Sequence, residues 1–409
     1  SIVSLDVSNF DTSRVTDMHS MFSSCGSLNS LNVSKFNTSR VTNMSGMFNS
    51  CRSLTSLDVS NFDTSQVKKM DIMFYACTGL TSLDLSNFNT SQVTDMHNMF
   101  GLSNKLSSLN LGSFDTSKVT DMGYMFSDCS SLTNLDLSTF NTANVVYITD
   151  IFSDCSELTS ITFGPGWTNN KITDMSGMFS DLSKLSTINF NGFKTPNVTD
   201  MNSMFNNCES LTTLDLSSFD TSKVTDMHYM FGNCGNLASL DLSHFDTSNV
   251  VNMEGMFHSM MLLYNLNLSG WDTSNVTNMG QMFLFNSYLQ SLDLSSFDTS
   301  KVTDMNHMFD SCSMLEELKL NLDTFDTSNV VNMECMFQYC YSIKTEIVLR
   351  TDSLVYYSDM FTSAADDGYS SPYIYVYSDE SNADFVDGLV SDVNNSNISY
   401  MGVYDKNGY

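Results

Sequence analysis

Apolar and polar residues alternate along this chain in a phrase that returns every 26 residues. The phrase has two halves. The first reads L-x-x-L-x-L, as at Leu54, Leu57 and Val59, with Thr55, Ser56 and Asp58 between them. Short apolar–polar alternation predicts a β-strand. The second reads V-T-D-M-x-x-M-F-x-x-C, as from Val119 to Cys129. Its apolar residues recur at spacings of three and four, which predicts a brief extended piece running into one turn of helix. Between the halves sits S-x-F-D-T-S, whose small polar side chains bond their own backbone in turns.

Aligned on the central strand residue, the units fall at Leu5, Leu31, Leu57, Leu83, Leu109, Leu135, Ile161, Ile188, Leu214, Leu240, Leu266, Leu292 and Leu318. The step stretches once near Gly164, Pro165 and Gly166, and two residues enter around Leu322 and Asp323. That makes 13 units, with a decayed fourteenth from Ile347 to Phe361. A period of this length marks a solenoid, which grows in one dimension rather than splitting into domains. The expected fold class is α/β leaning to β: a leucine-rich-repeat type solenoid over residues 1–346, with a parallel sheet on one face and short helical turns on the other. Residues 347–409 are expected to form the degenerate last repeat and a small C-terminal cap.

The repeated large residues explain most of the composition. An aromatic occupies the Phe10 position in every unit, with Trp167 and Trp271 standing in twice, and a second Phe recurs at the Phe22 position. Met recurs at the Met18 and Met21 positions, replaced only by Ile148 and Ile151. These columns hold 24 of the 29 Phe and 24 of the 29 Met, so they read as an internal core rather than a Met-rich binding groove or a soft-metal site. Nine cysteines fall three residues after the repeated Phe: Cys25, Cys51, Cys77, Cys129, Cys155, Cys208, Cys234, Cys312 and Cys340. Other units put Ser103, Leu182, Met260 or Asn286 there. A metal or disulfide site would not accept Leu182 or Met260, whereas a small buried residue would, so reduced thiols are expected. Cys335 stands apart from this column, five before Cys340.

With 46 Asp and Glu against 17 Lys and Arg, the chain carries a formal charge of −29. That excess repels phosphate backbones and anionic membranes, so neither nucleic acid nor an anionic membrane surface is expected as a partner. No apolar run is long enough to span a bilayer, so no membrane insertion is expected in this segment. The chain starts at Ser1 in mid-phrase, with Ile2, Val3 and Leu5 already at core positions. It therefore reads as a piece of something longer.

The units from Leu80 to Phe100 and from Leu211 to Cys234, LTSLDLSNFNTSQVTDMHNMF and LTTLDLSSFDTSKVTDMHYMFGNC, resemble the BspA-like leucine-rich repeat surface proteins, and within them the 26-residue mycoplasma-lipoprotein-type branch. The resemblance runs from about Ile2 to Cys340. It implies a right-handed solenoid with a concave sheet, an extracellular or cell-surface location, and adhesion to a host or matrix component. It brings no catalytic motif. Tyr147, where the pattern has Asp, and the segment from Gly164 to Trp167 depart from the family phrase.

The tail differs in kind. Nine of the 17 tyrosines lie in the last 63 residues. The stretches SPYIYVYS and ISYMGVYD read as strands, and DESNADFVDGLVSDV as a short amphipathic helix. A cap over the open hydrophobic end is the default reading, and a Tyr-rich partner surface is the alternative.

No motif supports an enzyme: G-x-S-x-G, H-E-x-x-H, a phosphate-binding glycine loop and C-x-x-C are all missing from the sequence. His19, His97, His228, His244, His258 and His307 occupy variable positions without ligand spacing. The best polar signal is the middle residue of the strand phrase: Asp6, Asp58, Asp84, Asp136, Asp215, Asp241 and Asp293, with Asn32, Asn110, Asn189 and Asn267 in the same column. Alternation with core Leu points this column outward, where its oxygens can hydrogen-bond sugar hydroxyls or coordinate Ca²⁺. The plainer reading is a solvated face that keeps the array soluble. No other cofactor is expected. A second acidic column, with Asp17, Asp95, Asp121, Asp174, Asp200, Asp226 and Asp304, precedes a core Met and is expected to cap the helical turn. The Thr column beginning Thr12, Thr38 and Thr64 lies in a predicted turn, which argues against an ice-binding face. Nine Asn-x-Ser/Thr sequons occur, a number that so Asn-, Ser- and Thr-rich a repeat produces by chance. The expected function is non-enzymatic recognition or adhesion, with a host or matrix protein or a glycan as partner. The alternative is a structural subunit of an extracellular filament, sheath or surface layer, formed by copies of the chain end to end.

Overall fold

The computed structural model describes residues 2–190, 193–321, 323–344, 347–350, 353–365, 373–377 and 400–404. The chain forms two compact units. One comprises Ser1–Val198, Asn207–Leu211 and Asp215–Phe219; the other comprises Thr199–Asn206, Thr212–Leu214 and Asp220–Tyr409. Each is a parallel β-solenoid. The first unit carries β1 (Ser4–Leu5), β2 (Ser30–Leu31), β3 (Ser82–Asp84), β4 (Ser108–Asn110), β5 (Asn134–Leu137) and β6 (Ser160–Phe163). The second carries β7 (Ser239–Asp241), β8 (Asn265–Asn267), β9 (Ser291–Leu294), β10 (Glu317–Leu320), β11 (Ile347–Arg350), β12 (Tyr373–Tyr377) and β13 (Tyr400–Tyr404).

Neighbouring strands pair in parallel, one repeat apart. Leu83 lies beside Leu109, and Leu240 beside Leu266. Within each strand the Leu is buried or half-buried and its polar neighbours are exposed, as the alternation predicts. Strands β11, β12 and β13 are also parallel, with Ile347 beside Ile374 and Tyr373 beside Tyr400. The two tail strands read from the sequence are therefore present. The helix expected over 379–393 lies outside the described residues.

The helical turns are not present: the described residues contain no helix. The second half of each rung instead makes another parallel ladder. The N–H groups of Met18, Ser20, Phe22 and Ser24 donate to the carbonyls of Asn43, Ser45, Met47 and Asn49, at 2.7–2.9 Å. Between these bonds the chain folds into tight turns, with Met21 N–H donating to Met18 O and Cys25 N–H to Phe22 O. Ser20 and Ser24 have φ of 54° and 60°, and the matching positions of later rungs are left-handed too, including Ile72 and Tyr124. An α-helix needs negative φ throughout, so a left-handed residue every fourth position forbids one. The spacing of three and four comes from consecutive turns, not from helical periodicity.

The repeated large side chains do form the core. In the first unit Phe22, Phe48, Phe74, Phe100, Phe126, Phe152 and Phe179 stack ring on ring at 5.6–5.9 Å. In the second, the stack from Phe205 through Phe231, Phe257, Phe283, Phe309 and Phe337 to Phe361 is spaced at 5.2–5.9 Å. Such offset aromatic pairs add to area burial. Trp167 and Trp271 extend the other aromatic column, and each indole N–H donates to a carbonyl, of Leu137 and Leu242 respectively. The exceptions are in the first rung, where Phe10 is exposed and Met21 and Cys25 are half-buried.

Two buried polar columns stitch the rungs together. All ten cysteines are free. Most column thiols donate to the Phe carbonyl of the preceding rung, as from Cys51 to Phe22 and from Cys129 to Phe100, both at 3.2 Å. Ser103 and Asn286 donate in the same way to Phe74 and Phe257. Burial pushes the thiols of Cys51, Cys77, Cys155 and Cys312 up to about 12. The Thr column is buried rather than displayed. Thr116 Oγ1 donates to Asn141 O at 3.0 Å and accepts from Asn141 N–H at 2.7 Å. At the insertion, Asn169 takes over the Thr role, its amide donating to Lys194 O. A side-chain carbon at Gly164 or Gly166 would collide with the carbonyls of Ser138 and Phe140 there.

Candidate functional site

The strand phrase places Asp6, Asp58, Asp84, Asp136, Asp215, Asp241 and Asp293 on the exposed side of the strand positions. Each has a structural duty. Its Oδ1 accepts the N–H of the residue two further on: Ser8, Ser60, Ser86, Ser138, Ser217, Ser243 and Ser295, at 2.9–3.1 Å. These are Asx turns, which end the strand. Asn32, Asn110 and Asn267 make the same bond. The Ser hydroxyl and N–H hold Asp6, Asp58, Asp136 and Asp293 below the usual carboxylate range. For Asp84 and Asp241 the N–H is the larger influence.

What remains for a ligand is the second carboxylate oxygen. At Asp293 it faces Lys319 Nζ at 3.7 Å, an exposed pair that contributes little. In the first unit, Ser30, Asn32, Ser34, Ser56 and Asp58 line a shallow depression of about 440 Å³ on this face. Among the described residues, no group of three or more His, Cys, Asp or Glu is placed to hold a metal ion.

The second acidic column also makes Asx turns, not helix caps. Asp17, Asp95, Asp174 and Asp304 accept the N–H groups of His19, His97, Ser176 and Asn306. A third column follows the aromatic of S-x-F-D-T-S, where Asp63 and Asp115 accept from Ser65 and Ser117. One rung can thus contain three such turns, at Asp6, Asp11 and Asp17. Histidines on this side pair with carboxylates: His228 with Asp226 at 2.7 Å and His307 with Asp310 at 2.8 Å. They form no ligand set with one another. Burial, reinforced by neighbouring carboxylates, pushes Asp150 and Asp154 above the usual range.

A feature that the column-by-column reading missed lies in the second unit. Eight large apolar residues are exposed in the turns that lead into the strands there: Met261, Leu262 and Tyr264, then Phe285 and Tyr288, then Met314, then Tyr339 and Tyr341. Phe285, Ser287, Ser311, Ser313, Tyr339 and Tyr341 line an open cleft of about 320 Å³. The signal was available in the sequence as departures from the repeat, since Phe285 and Tyr339 occupy the column of Ser24 and Ser50.

The family model described as "Mycoplasma protein of unknown function, DUF285" matches residues 1–101, 79–191, 161–262 and 230–348. The chain belongs to this family. The DUF285 matches tile the repeats in four overlapping stretches and stop where the 26-residue step decays. A search of curated proteins finds no match. Similar solved chains include one in the crystal structure of a TLR13–ssRNA13 complex, at 16% identity and a TM-score of 0.19; the match covers 86% of this chain and 66% of that one. No helix among the described residues is long and apolar enough to cross a membrane.

Proposed function

We propose that this chain is a non-enzymatic recognition module, cell-surface or secreted, in the BspA-like branch of repeat proteins. Its working surface is the strand face, and its partner is a host or matrix protein or a glycan. The observation that carries this reading is the strand-phrase column. Seven exposed carboxylates recur along the repeat, each accepting a backbone N–H through one oxygen in an Asx turn. Preorganised, repeated acceptors of this kind suit a cationic, Ca²⁺-bridged or polyhydroxyl ligand.

The test is the triple variant Asp215→Asn, Asp241→Asn, Asp293→Asn. Parent and variant are titrated with CaCl₂, an oligolysine peptide and neutral oligosaccharides, with circular dichroism as the control. The expected result is an unchanged spectrum and weaker binding of at least one probe. Equal affinities in parent and variant for every probe that binds would remove the strand face from the function.

A further inference from the structure

The repeat keeps the residue at the Ser24 position small or polar in most rungs, as at Ser259 and Ser311. The reason is backbone geometry. This position is left-handed, with φ of 56° at Ser259 and 60° at Ser311. Phe285 and Tyr339 hold the same conformation, with φ of 61° and 57°. A bulky side chain in the left-handed region is costly; Leu102 carries that cost in the same column, with φ of 59°, and Phe285 and Tyr339 carry it with aromatic rings. Neither ring offsets it by burial, because Phe285 is 44% and Tyr339 40% exposed.

These rings stand two rungs apart with Ser311 between them. Rungs repeat at about 4.8 Å, so the walls are roughly 9.6 Å apart. A flat ring in contact with both walls requires about 8–9 Å, two contacts of 4.0–4.5 Å. That spacing leaves room for about one ring between the two side chains. The walls of this slot are braced: the His258 ring meets Phe285 edge-on at 6.0 Å, and Tyr341 packs against Tyr339 at 6.1 Å. Its floor is Ser287, Ser311 and Ser313. The Ser287 and Ser313 hydroxyls donate to the carbonyls of Ser311 and Ser287, so each hydroxyl oxygen can still accept a hydrogen bond. The lining holds no carboxylate, amine or guanidinium. A volume of about 320 Å³ lies at the small end of ligand pockets.

We propose that this slot binds a neutral pyranose unit of a glycan, the apolar ring faces packed between Phe285 and Tyr339 and the edge hydroxyls donating to the serine floor. An aromatic side chain of a partner protein would match the width and leave the hydroxyl floor unmatched. The uncharged lining, in a chain of net charge −29, disfavours an anionic sugar. The site is separate from the strand face and does not depend on it.

The test uses the full chain with cellohexaose, chitohexaose, maltohexaose and mannohexaose in isothermal titration. Phe285→Ser and Tyr339→Ser install the residue that the same column carries at Ser259 and Ser311, so both variants should melt at or above the parent temperature. At least one hexasaccharide should bind the parent, without sensitivity to added salt. Each variant should weaken that binding at least about tenfold. The triple Asp→Asn variant of the strand face should retain it. The proposal is overturned if no hexasaccharide binds at millimolar concentration, or if both Ser variants bind like the parent. It is equally overturned if a tryptophan-bearing peptide binds the slot while no hexasaccharide does. Loss in the strand-face variant alone would sink the slot and support the strand face instead.

Discussion

The inside of a rung and its strand face follow the same rule with opposite chemistry. Inside, the Cys column accepts Ser103 and Asn286, and all three residue types donate to a Phe carbonyl. Outside, the Asp column accepts Asn32, Asn110 and Asn267, and both types accept a backbone N–H. In each case the substitute preserves a hydrogen bond to the backbone. Leu182 and Met260 show the limit of the inner rule, since they fill the buried site with a larger apolar side chain and give up the donor. The comparison teaches that recurrence in this chain chiefly records how one rung holds the next. Residues that break the column, such as Phe285 and Tyr339, are where a task other than folding becomes visible.

The largest effect should come from the core stack. Phe126 is fully buried between Phe100 and Phe152. Phe126→Ala should cost about 3–5 kcal/mol, and Phe231→Ala in the second unit a similar amount. Hydrogen exchange should show the loss in the mutated rung and its neighbours, because a repeat array is stabilised through nearest neighbours. If both variants melt like the parent and exchange no faster, this column does not carry the core.

Next in size is the Thr ladder. Thr116→Val keeps the shape and strands both the N–H and the carbonyl of Asn141, each now without its hydroxyl partner. The expected cost is about 2 kcal/mol, set by leaving buried polar groups unpaired. Thr116→Ser keeps the hydroxyl and should cost less than half as much in denaturant melts. A Thr116→Val variant that melts like the parent would mean that the hydroxyl does not matter.

The strand, the core columns and the free thiols were legible because each follows from side-chain period and chemistry. Leu83 alternates with exposed Ser82 and Asp84, and the structure keeps that alternation. The helical turn was misread because the spacing of Met18, Met21, Phe22 and Cys25 fits both one helical turn and two successive β-turns. Positive φ at Ser20 and Ser24 decides between them, and Ser does not announce it in sequence as Gly would. Where Gly does appear, at Gly46 and Gly177, the clue is present in isolated rungs. The aromatic slot was illegible to a column-by-column reading for a different reason. Its walls come from residues 54 apart that are exceptions in their own column, and only stacking brings them to face the same cleft.

A smaller effect separates the thiols by rung. Cys129 and Cys155 are fully buried, with burial raising both thiols far from neutrality, whereas Cys25 is half-buried. Thiolate is the reactive form, so iodoacetamide should label Cys25 first and reach Cys129 only after denaturant is added. Cys129→Ser keeps a donor to Phe100 O and should be milder than Cys129→Ala, by about 1 kcal/mol or less. Uniform labelling of all column cysteines in the folded protein would contradict their buried role.

The smallest change at neutral pH belongs to the strand face, and acid should reveal it. The triple Asp215→Asn, Asp241→Asn, Asp293→Asn variant keeps an amide oxygen for each Asx turn, as Asn267 does with Ser269. It should therefore melt like the parent at neutral pH. The carboxylates of Asp241 and Asp293 sit below the usual range because they accept hydrogen bonds in the fold. A depressed acid stabilises the folded state above its unfolded value, near pH 4, and loses that contribution as pH falls through its folded value. Asp150 and Asp154 have the opposite sign. Burial raises them, so they take up protons in the folded state first, and mild acidification adds stability. Parent melting temperature should thus rise slightly on leaving neutrality and fall below about pH 4. The triple variant should keep the rise and show a shallower fall. An identical acid limb in both proteins would mean that these Asx turns do not couple to folding, and unfolding of the variant at neutral pH would place these side chains inside the rung.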